Sequence, residues 1–230
     1  MMRLIFTTIL FLFITTCSYA QKLGQVTFSG GSDLSYFSFR TDQDVLIRVS
    51  VDGKIMEWGT EVKSLRSDYY APGLRPFMGR IEYYSADSDS AFRGKVKSIG
   101  TCSFTYYYSY DTDSKPGKIK SIGRVSFDYY TNFDDKSRKG KIRFAGTQVL
   151  EYYSSFDEEI LRGKLKSIGN IAFTYYSIFD DKLIRGKIKT IGSVSYAWYT
   201  SFDRSDYRGA LKSGAYRQDI GGVTYIVGQN

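Results

Sequence analysis

Apolar and polar residues alternate with a period of two along most of the chain. Val125-Ser126-Phe127-Asp128-Tyr129 is one such segment, and Ile171-Ala172-Phe173-Thr174-Tyr175 is another. Period two with β-branched and aromatic residues predicts strands that bury one face. After residue 20, no stretch shows the i, i+3, i+4 spacing of an amphipathic helix. The pattern therefore predicts an all-β protein.

The alternating segments belong to a tandem repeat. Six glycines fall 23 residues apart, and the first five open complete copies without insertions, whereas the sixth copy departs after Ser213, as a terminal unit does. Each copy holds a short strand just after its glycine and the alternating segment further on, so one copy predicts one β-hairpin. The glycines are Gly94, Gly117, Gly140, Gly163, Gly186 and Gly209.

The repeat sets the expected domain organisation. We predict a signal peptide at 1–20, an N-terminal β cap at 21–80, 23-residue hairpin repeats at 81–214 and a C-terminal capping strand at 215–230. Successive hairpins would form an elongated antiparallel meander sheet, with a cap at both ends to hide the sheet edges. Whether this sheet stays open or rolls up is left open by the pattern.

The first twenty residues predict export. Arg3 precedes an apolar run from Leu4 to Ile14, and Ser18-Tyr19-Ala20 places small residues at a cleavage site. This run of about eleven mostly apolar residues is too short to span a bilayer core of about 30 Å, so we expect no transmembrane segment in the mature chain. The destination is the periplasm, the cell surface or the medium. A lipoprotein anchored at Cys17 is the alternative.

Composition narrows the chemistry. The chain has no His, which excludes Ser-His-Asp hydrolysis and His-ligated zinc sites. Without the first twenty residues, Cys102 is the one remaining cysteine, and it lies where other copies carry Val or Ile, which predicts a buried thiol. We predict no cofactor and no metal, and a protein that is not an enzyme.

The chain is rich in tyrosine, with 21 residues, and has a net charge of +8. Strand parity places Lys118, Lys120 and Tyr130 on the outer face, opposite Ile119 and Phe127. Stacked copies would then present ladders of cations and aromatic rings, which suit sugar rings or anionic polymers. The alternative is a solvated sheet face with no ligand. The candidate ligand-binding residues are Lys95, Lys97, Lys118, Lys120, Lys164, Lys166, Lys187, Lys189, Tyr107, Tyr130, Tyr153, Tyr176 and Tyr199.

Aspartates also recur, once per copy, where the second strand enters the loop. Asp111-Thr112-Asp113-Ser114 resembles part of a calcium loop, but it lacks the glycine and the bidentate Glu of an EF-hand. We expect these aspartates to hydrogen-bond their own turns, or to pair with an arginine at the end of the loop. A glycosidase, which needs two carboxylates in one cleft, is the third-ranked function.

Two repeat families resemble this pattern. Phe156-Asp157 followed by Gly163-Lys164-Leu165 is similar to the YD repeats of large secreted bacterial proteins, in which Tyr-Asp precedes Gly-Arg-Leu or Gly-Arg-Ile. The spacing between Asp and Gly is longer here than in that family. The 23-residue hairpin period is more weakly similar to MORN repeats, although their Tyr-x-Gly-x-Trp signature is absent. Both resemblances imply a scaffold or a binding protein.

These observations predict an exported repeat protein that binds a repetitive anionic or glycan polymer of the cell envelope. Envelope polysaccharide, lipopolysaccharide and peptidoglycan are the candidate partners, because an exported basic protein meets these polymers first. Nucleic acid is not an expected partner. The alternative is a structural scaffold that binds another protein at the envelope.

Overall fold

The computed structural model describes residues 21–62 and 73–228. The predicted signal peptide and Cys17 therefore lie outside the described residues. Within them the chain forms twenty β-strands and one short 3-10 helix at Ser205–Tyr207, and these ranges contain no α-helix. The all-β prediction is confirmed.

Seven strands form one sheet, in the order β19-β20-β1-β2-β3-β4-β5. β20 runs parallel to β1, and the other neighbours in this sheet are antiparallel. The strands are β1 (Lys22–Ser29), β2 (Asp33–Arg40), β3 (Val45–Val49), β4 (Ile55–Glu61), β5 (Leu74–Arg75), β19 (Arg217–Ile220) and β20 (Val223–Val227).

Eleven strands form a long antiparallel sheet in which every strand pairs with its neighbours in sequence. A further two-stranded sheet, β17 (Ala197–Trp198) with β18 (Leu211–Ser213), follows the last of these strands. The eleven strands are β6 (Ile81–Tyr83), β7 (Val96–Ile99), β8 (Cys102–Tyr106), β9 (Ile119–Ile122), β10 (Val125–Tyr129), β11 (Ile142–Ala145), β12 (Gln148–Tyr152), β13 (Leu165–Ile168), β14 (Ile171–Tyr175), β15 (Ile188–Ile191) and β16 (Val194–Ser195).

A two-residue turn joins the paired strands of one copy. Between β9 and β10 this turn is Gly123-Arg124, and Gly123 has φ +53°. A residue with a Cβ is strained at this angle, so glycine is the residue that suits the turn. The equivalent glycines, all with positive φ, are Gly100, Gly146, Gly169 and Gly192.

The two large sheets pack face to face as a β-sandwich. The ring of Phe39 meets Phe127 at 4.9 Å between centroids, and Phe28 meets Phe173 at 5.7 Å. Backbone hydrogen bonds also join the layers, because the N–H of Ile142 donates to the carbonyl oxygen of Val51 at 2.9 Å. The core therefore lies between the sheets, and the other face of the eleven-stranded sheet stays open.

The N-terminal and C-terminal segments differ from the expected end caps. They form one layer over the face of the eleven-stranded sheet, with β20 beside β1, and β6 is the first strand of that sheet. Burial explains this arrangement. Ile119, Phe127 and Tyr129 are almost fully buried, and a continuous apolar face of this kind must pack against a second layer.

Candidate functional site

The first lysine of each copy lies at the margin of the sandwich and binds its own protein. Nζ of Lys118 donates to the carbonyl oxygen of Gly140 in the next copy and lies 4.8 Å from the centre of the Tyr129 ring. Lys95 and Lys141 make the same two contacts with their own neighbours. Burial lowers the pKa of all three ammonium groups. This row therefore joins one copy to the next.

Two later members of the same row bind the seven-stranded sheet instead. Nζ of Lys164 pairs with Asp33 at 2.7 Å, and Nζ of Lys187 donates to the carbonyl oxygen of Gly30 at 3.1 Å. Lys187 also donates to the next glycine carbonyl at 2.8 Å, and burial lowers its pKa. Of the predicted ligand-binding lysines, Lys95, Lys118, Lys164 and Lys187 thus have partners within the protein.

The second cation of each copy lies on the open face. Thr105 pairs with Ser121 while the next residue, Tyr106, pairs with Ile119, so Lys120 is the extra residue of a β-bulge. A bulge redirects the side chain of the unpaired residue, and Lys120 is exposed. The same irregularity recurs in every copy. The exposed cations at these bulges are Lys97, Lys120, Arg143, Lys166 and Lys189, which we call the bulge row.

The predicted tyrosines connect neighbouring copies. The hydroxyl of Tyr107 donates to the carbonyl oxygen of Phe127 at 2.8 Å, and Nζ of Lys120 lies 5.5 Å from the centre of the Tyr107 ring. Tyr130, Tyr153 and Tyr176 donate in the same way, each to a carbonyl 20 residues further on. Burial raises the pKa of these four phenols. They support the bulge row from below and expose little ring surface.

Tyr199, in the last complete copy, contacts both the next bulge cation and a second aromatic ring. Its ring lies 5.4 Å from that of Tyr207 and 5.2 Å from Nζ of Lys212. Lys212 is exposed and is the corresponding bulge residue of the sixth, incomplete copy, because Ala197 pairs with Ser213 while Trp198 pairs with Leu211.

A row of exposed aromatic side chains was missed by the sequence reasoning. These residues occupy the same place in each loop after the second strand, and their side chains project into solvent. The pattern did contain a signal, because an aromatic residue precedes Asp at a fixed loop position outside the alternating strand. We call this the aromatic row, and its exposed fractions are Tyr110 75%, Phe133 95%, Phe156 94%, Phe179 89% and Phe202 93%.

The recurring aspartates hold these loops. The carboxylate of Asp134 accepts hydrogen bonds from the backbone N–H and hydroxyl of Thr131, at 2.6 and 2.8 Å. The next acid, Asp135, accepts from the hydroxyl of Ser155 in the following loop, and also from the N–H of Ser155 at 3.0 Å. These hydrogen bonds lower the pKa of both carboxyl groups. The expectation that the aspartates hydrogen-bond their own turns is confirmed at Asp134.

The side chain of the arginine at the end of the loop donates to a backbone carbonyl of the same turn. Nε of Arg185 donates to the carbonyl oxygen of Asp180 at 2.8 Å, and Nε of Arg208 donates to that of Asp203 at 2.9 Å. The aromatic row is therefore presented by loops whose polar groups are already hydrogen-bonded.

Two further expectations concern metal and thiol chemistry. Within residues 21–62 and 73–228, no group of three or more His, Cys, Asp or Glu side chains is arranged to hold a metal ion. Cys102 is buried and free of a disulfide, and burial raises the pKa of its thiol to about 11. A thiol in this state is a poor nucleophile.

Comparisons with known proteins give no relative. No family model, curated protein or solved structure matches the chain. The resemblance to YD and MORN repeats therefore stays a prediction. In the part of the chain that the structure describes, no helix combines the length and apolar character needed to cross a membrane.

Proposed function

We propose that this protein is an exported, non-enzymatic binding protein whose open sheet face holds a repetitive anionic polymer of the cell envelope. The proposal treats the eleven-stranded sheet as a tandem array of 23-residue hairpins. The observation that carries it is the bulge row, which places one exposed cation on the same face of each of five copies.

The spacing of the bulge row suits a polymer. Neighbouring strands lie about 4.8 Å apart, so cations two strands apart recur about every 10 Å. A single exposed ion pair contributes only about 0.5 kcal/mol, but several on one polymer act together. Two acids on this face are ion-paired, since Asp128 pairs with Lys115 at 2.7 Å and Glu82 with Arg80 at 2.6 Å, and a third, Glu151, accepts a hydrogen bond from Ser167. The row therefore favours an anionic ligand.

The aromatic row favours a glycan as a second contact. Its rings have the same period as the bulge row, and exposed aromatic rings can stack on the apolar faces of sugars. A scaffold that binds a partner protein is the alternative use of the same rings. A glycan held by both rows would combine a salt-sensitive ionic contact with a salt-resistant apolar one.

Co-sedimentation with isolated peptidoglycan and with lipopolysaccharide, each at low and high salt, tests the proposal. We expect the purified protein to pellet with at least one polymer at low salt and much less at high salt. Changing Lys120, Lys166 and Lys189 together to Gln should weaken this binding about tenfold, because three contacts of about 0.5 kcal/mol are lost.

The matched control changes three other exposed lysines. Lys136, Lys139 and Lys182 lie in the loops, and converting them to Gln removes the same net charge. We expect that control to bind nearly as well as the parent. Equal loss in both triple variants would contradict a role for the bulge row and leave only non-specific attraction to the basic protein. No pelleting at either salt would favour the protein scaffold.

A further inference from the structure

A cavity of about 580 Å³ opens between the two sheets at the first copies of the repeat. Its volume lies in the range of small-molecule sites. The hairpin of β3 and β4 forms one side, and the first strands of the repeat form the other. The side chains that matter for its chemistry are Lys54, Trp58, Tyr83, Lys95, Tyr106 and Lys118.

The cavity is positively charged. Burial lowers the pKa of the Lys95 and Lys118 ammonium groups, the charge of Asp52 opposes this at Lys118, and the charge of Lys54 lowers both. Among the described residues, neither Lys95 nor Lys118 forms an ion pair with a carboxylate; each donates to a glycine carbonyl. Asp52 is the nearby acid, and it already pairs with Lys54 at 2.9 Å and accepts from the hydroxyl of Ser50. An incoming anion would therefore meet two ammonium groups that are not in direct contact with a carboxylate.

The same lysines are used differently further along the repeat. Lys164 reaches Asp33 of the seven-stranded sheet, and Lys187 reaches the carbonyl of Gly30. The gap between the sheets is bridged there by these side chains. A cavity of about 290 Å³ also opens there, lined by Lys141 and Lys164 but by no aromatic ring. The cavity at Lys95 and Lys118 is about twice as large and is lined by aromatic rings.

The walls favour a ligand with a ring. Trp58 is half-buried, Tyr83 is 54% exposed, and Tyr106 lies deeper, so three aromatic rings line the space. Gly94 also lines it, is exposed and has no neighbouring atom where a Cβ would stand, which leaves room for hydroxyl groups. We infer that this cavity binds a ring-bearing carboxylate of the hexuronate class, with the carboxylate attracted by the positive charge of Lys95 and Lys118 and the sugar ring against Trp58.

Trp58 provides the readout. The chain has two tryptophans, and the other, Trp198, is buried with its indole N–H donating to the carbonyl of Ile188. In a Trp198→Phe background, titration with sodium D-glucuronate should change Trp58 fluorescence saturably, while D-glucose at the same concentrations should not. Calorimetric titration of the unsubstituted protein repeats the measurement without this background change.

Lysine variants locate the anion. Lys95→Gln and Lys118→Gln should each weaken glucuronate binding about tenfold or more. Lys141→Gln is the matched control, because Lys141 makes the same carbonyl and ring contacts in the next copy but lines only the smaller cavity, which has no aromatic ring. Thermal unfolding of all three variants separates lost binding from lost folding, because each variant loses an equivalent carbonyl contact and an equivalent ring contact.

Glucuronate titration and polymer co-sedimentation test the cavity and the open face separately. Substitution of Lys120, Lys166 and Lys189 should leave glucuronate binding unchanged, so the two proposals fail independently. Equal response to glucose and glucuronate, equal losses in Lys141→Gln and Lys95→Gln, or no saturable binding would overturn the inference. Binding of benzoate in place of glucuronate would overturn the sugar class.

Discussion

At the scale of single residues, the inner tyrosine of each copy contributes differently to stability, because its hydroxyl is hydrogen-bonded in some copies and unpaired in one. The hydroxyl of Tyr129 donates to the carbonyl oxygen of Ile119 at 2.7 Å, and Tyr106 and Tyr175 make equivalent bonds. Tyr152 occupies the same position in its copy and is completely buried, but its hydroxyl has no hydrogen-bond partner among the described residues. An unpaired buried hydroxyl carries a desolvation cost that no hydrogen bond offsets.

We predict opposite effects for two identical substitutions. Tyr129→Phe should lower the free energy of unfolding by about 1 kcal/mol or more, because it leaves the carbonyl of Ile119 without its partner. Tyr152→Phe should leave that free energy unchanged or raise it, since it removes a hydroxyl that gains nothing from burial. Denaturant unfolding of both variants beside the parent measures the difference. Equal losses would show that both hydroxyls are satisfied in solution.

At the scale of elements, the strands could be predicted from sequence more fully than the side-chain directions. The segment Val125–Tyr129 is a strand with the expected inner face, and Val223–Val227 is a strand as well. That β20 pairs in parallel with β1, about 200 residues earlier, left no local pattern to find. Lys118 and Lys120 have the same spacing from Ile119, and only the bulge makes one of them half-buried and the other exposed.

The loops offer a prediction of their own. Because Phe133, Phe156, Phe179 and Phe202 are about nine-tenths exposed, changing all four to Ser should leave the thermal unfolding midpoint almost unchanged. The same variant should lose the part of polymer binding that survives high salt, which co-sedimentation measures. A marked fall in the midpoint would mean that these rings pack against the protein, and unchanged binding at high salt would exclude them from contact with the polymer.

At the scale of the whole molecule, the seven-stranded sheet contacts the repeat at places far apart along the array. Near one end, the side-chain oxygen of Gln43 accepts from the N–H of Thr101 at 3.3 Å, and near the other the carbonyl of Gly31 accepts from the N–H of Ile188 at 2.8 Å. Gly53 meets Ile119 between them. The covering sheet is thus matched to a fixed length of array, unlike a solenoid in which each unit contacts only its neighbours.

Deletion of one copy tests this match. Removing residues 118–140 keeps the 23-residue phase but brings Thr101 and Ile188 closer by about 10 Å, the width of two strands. We expect the denaturant midpoint to fall sharply, because the covering sheet can then meet only part of its partners. A two-residue Gly-Ser insertion after the exposed Thr112, which lies between two hydrogen-bonded turns, is the control and should be tolerated. A deletion variant as stable as the parent would contradict the match.

The shared layer of β1–β5 with β19 and β20 also has a consequence for how such a gene can change. Tandem DNA copies gain or lose units when they recombine out of step, and an open array tolerates the result. Here a chain with one hairpin more or fewer would no longer match the length of the seven-stranded sheet. A viable change in copy number would therefore require a second change in the segments encoded at both ends of the array. The number of copies is therefore inherited together with the cover, as a single trait.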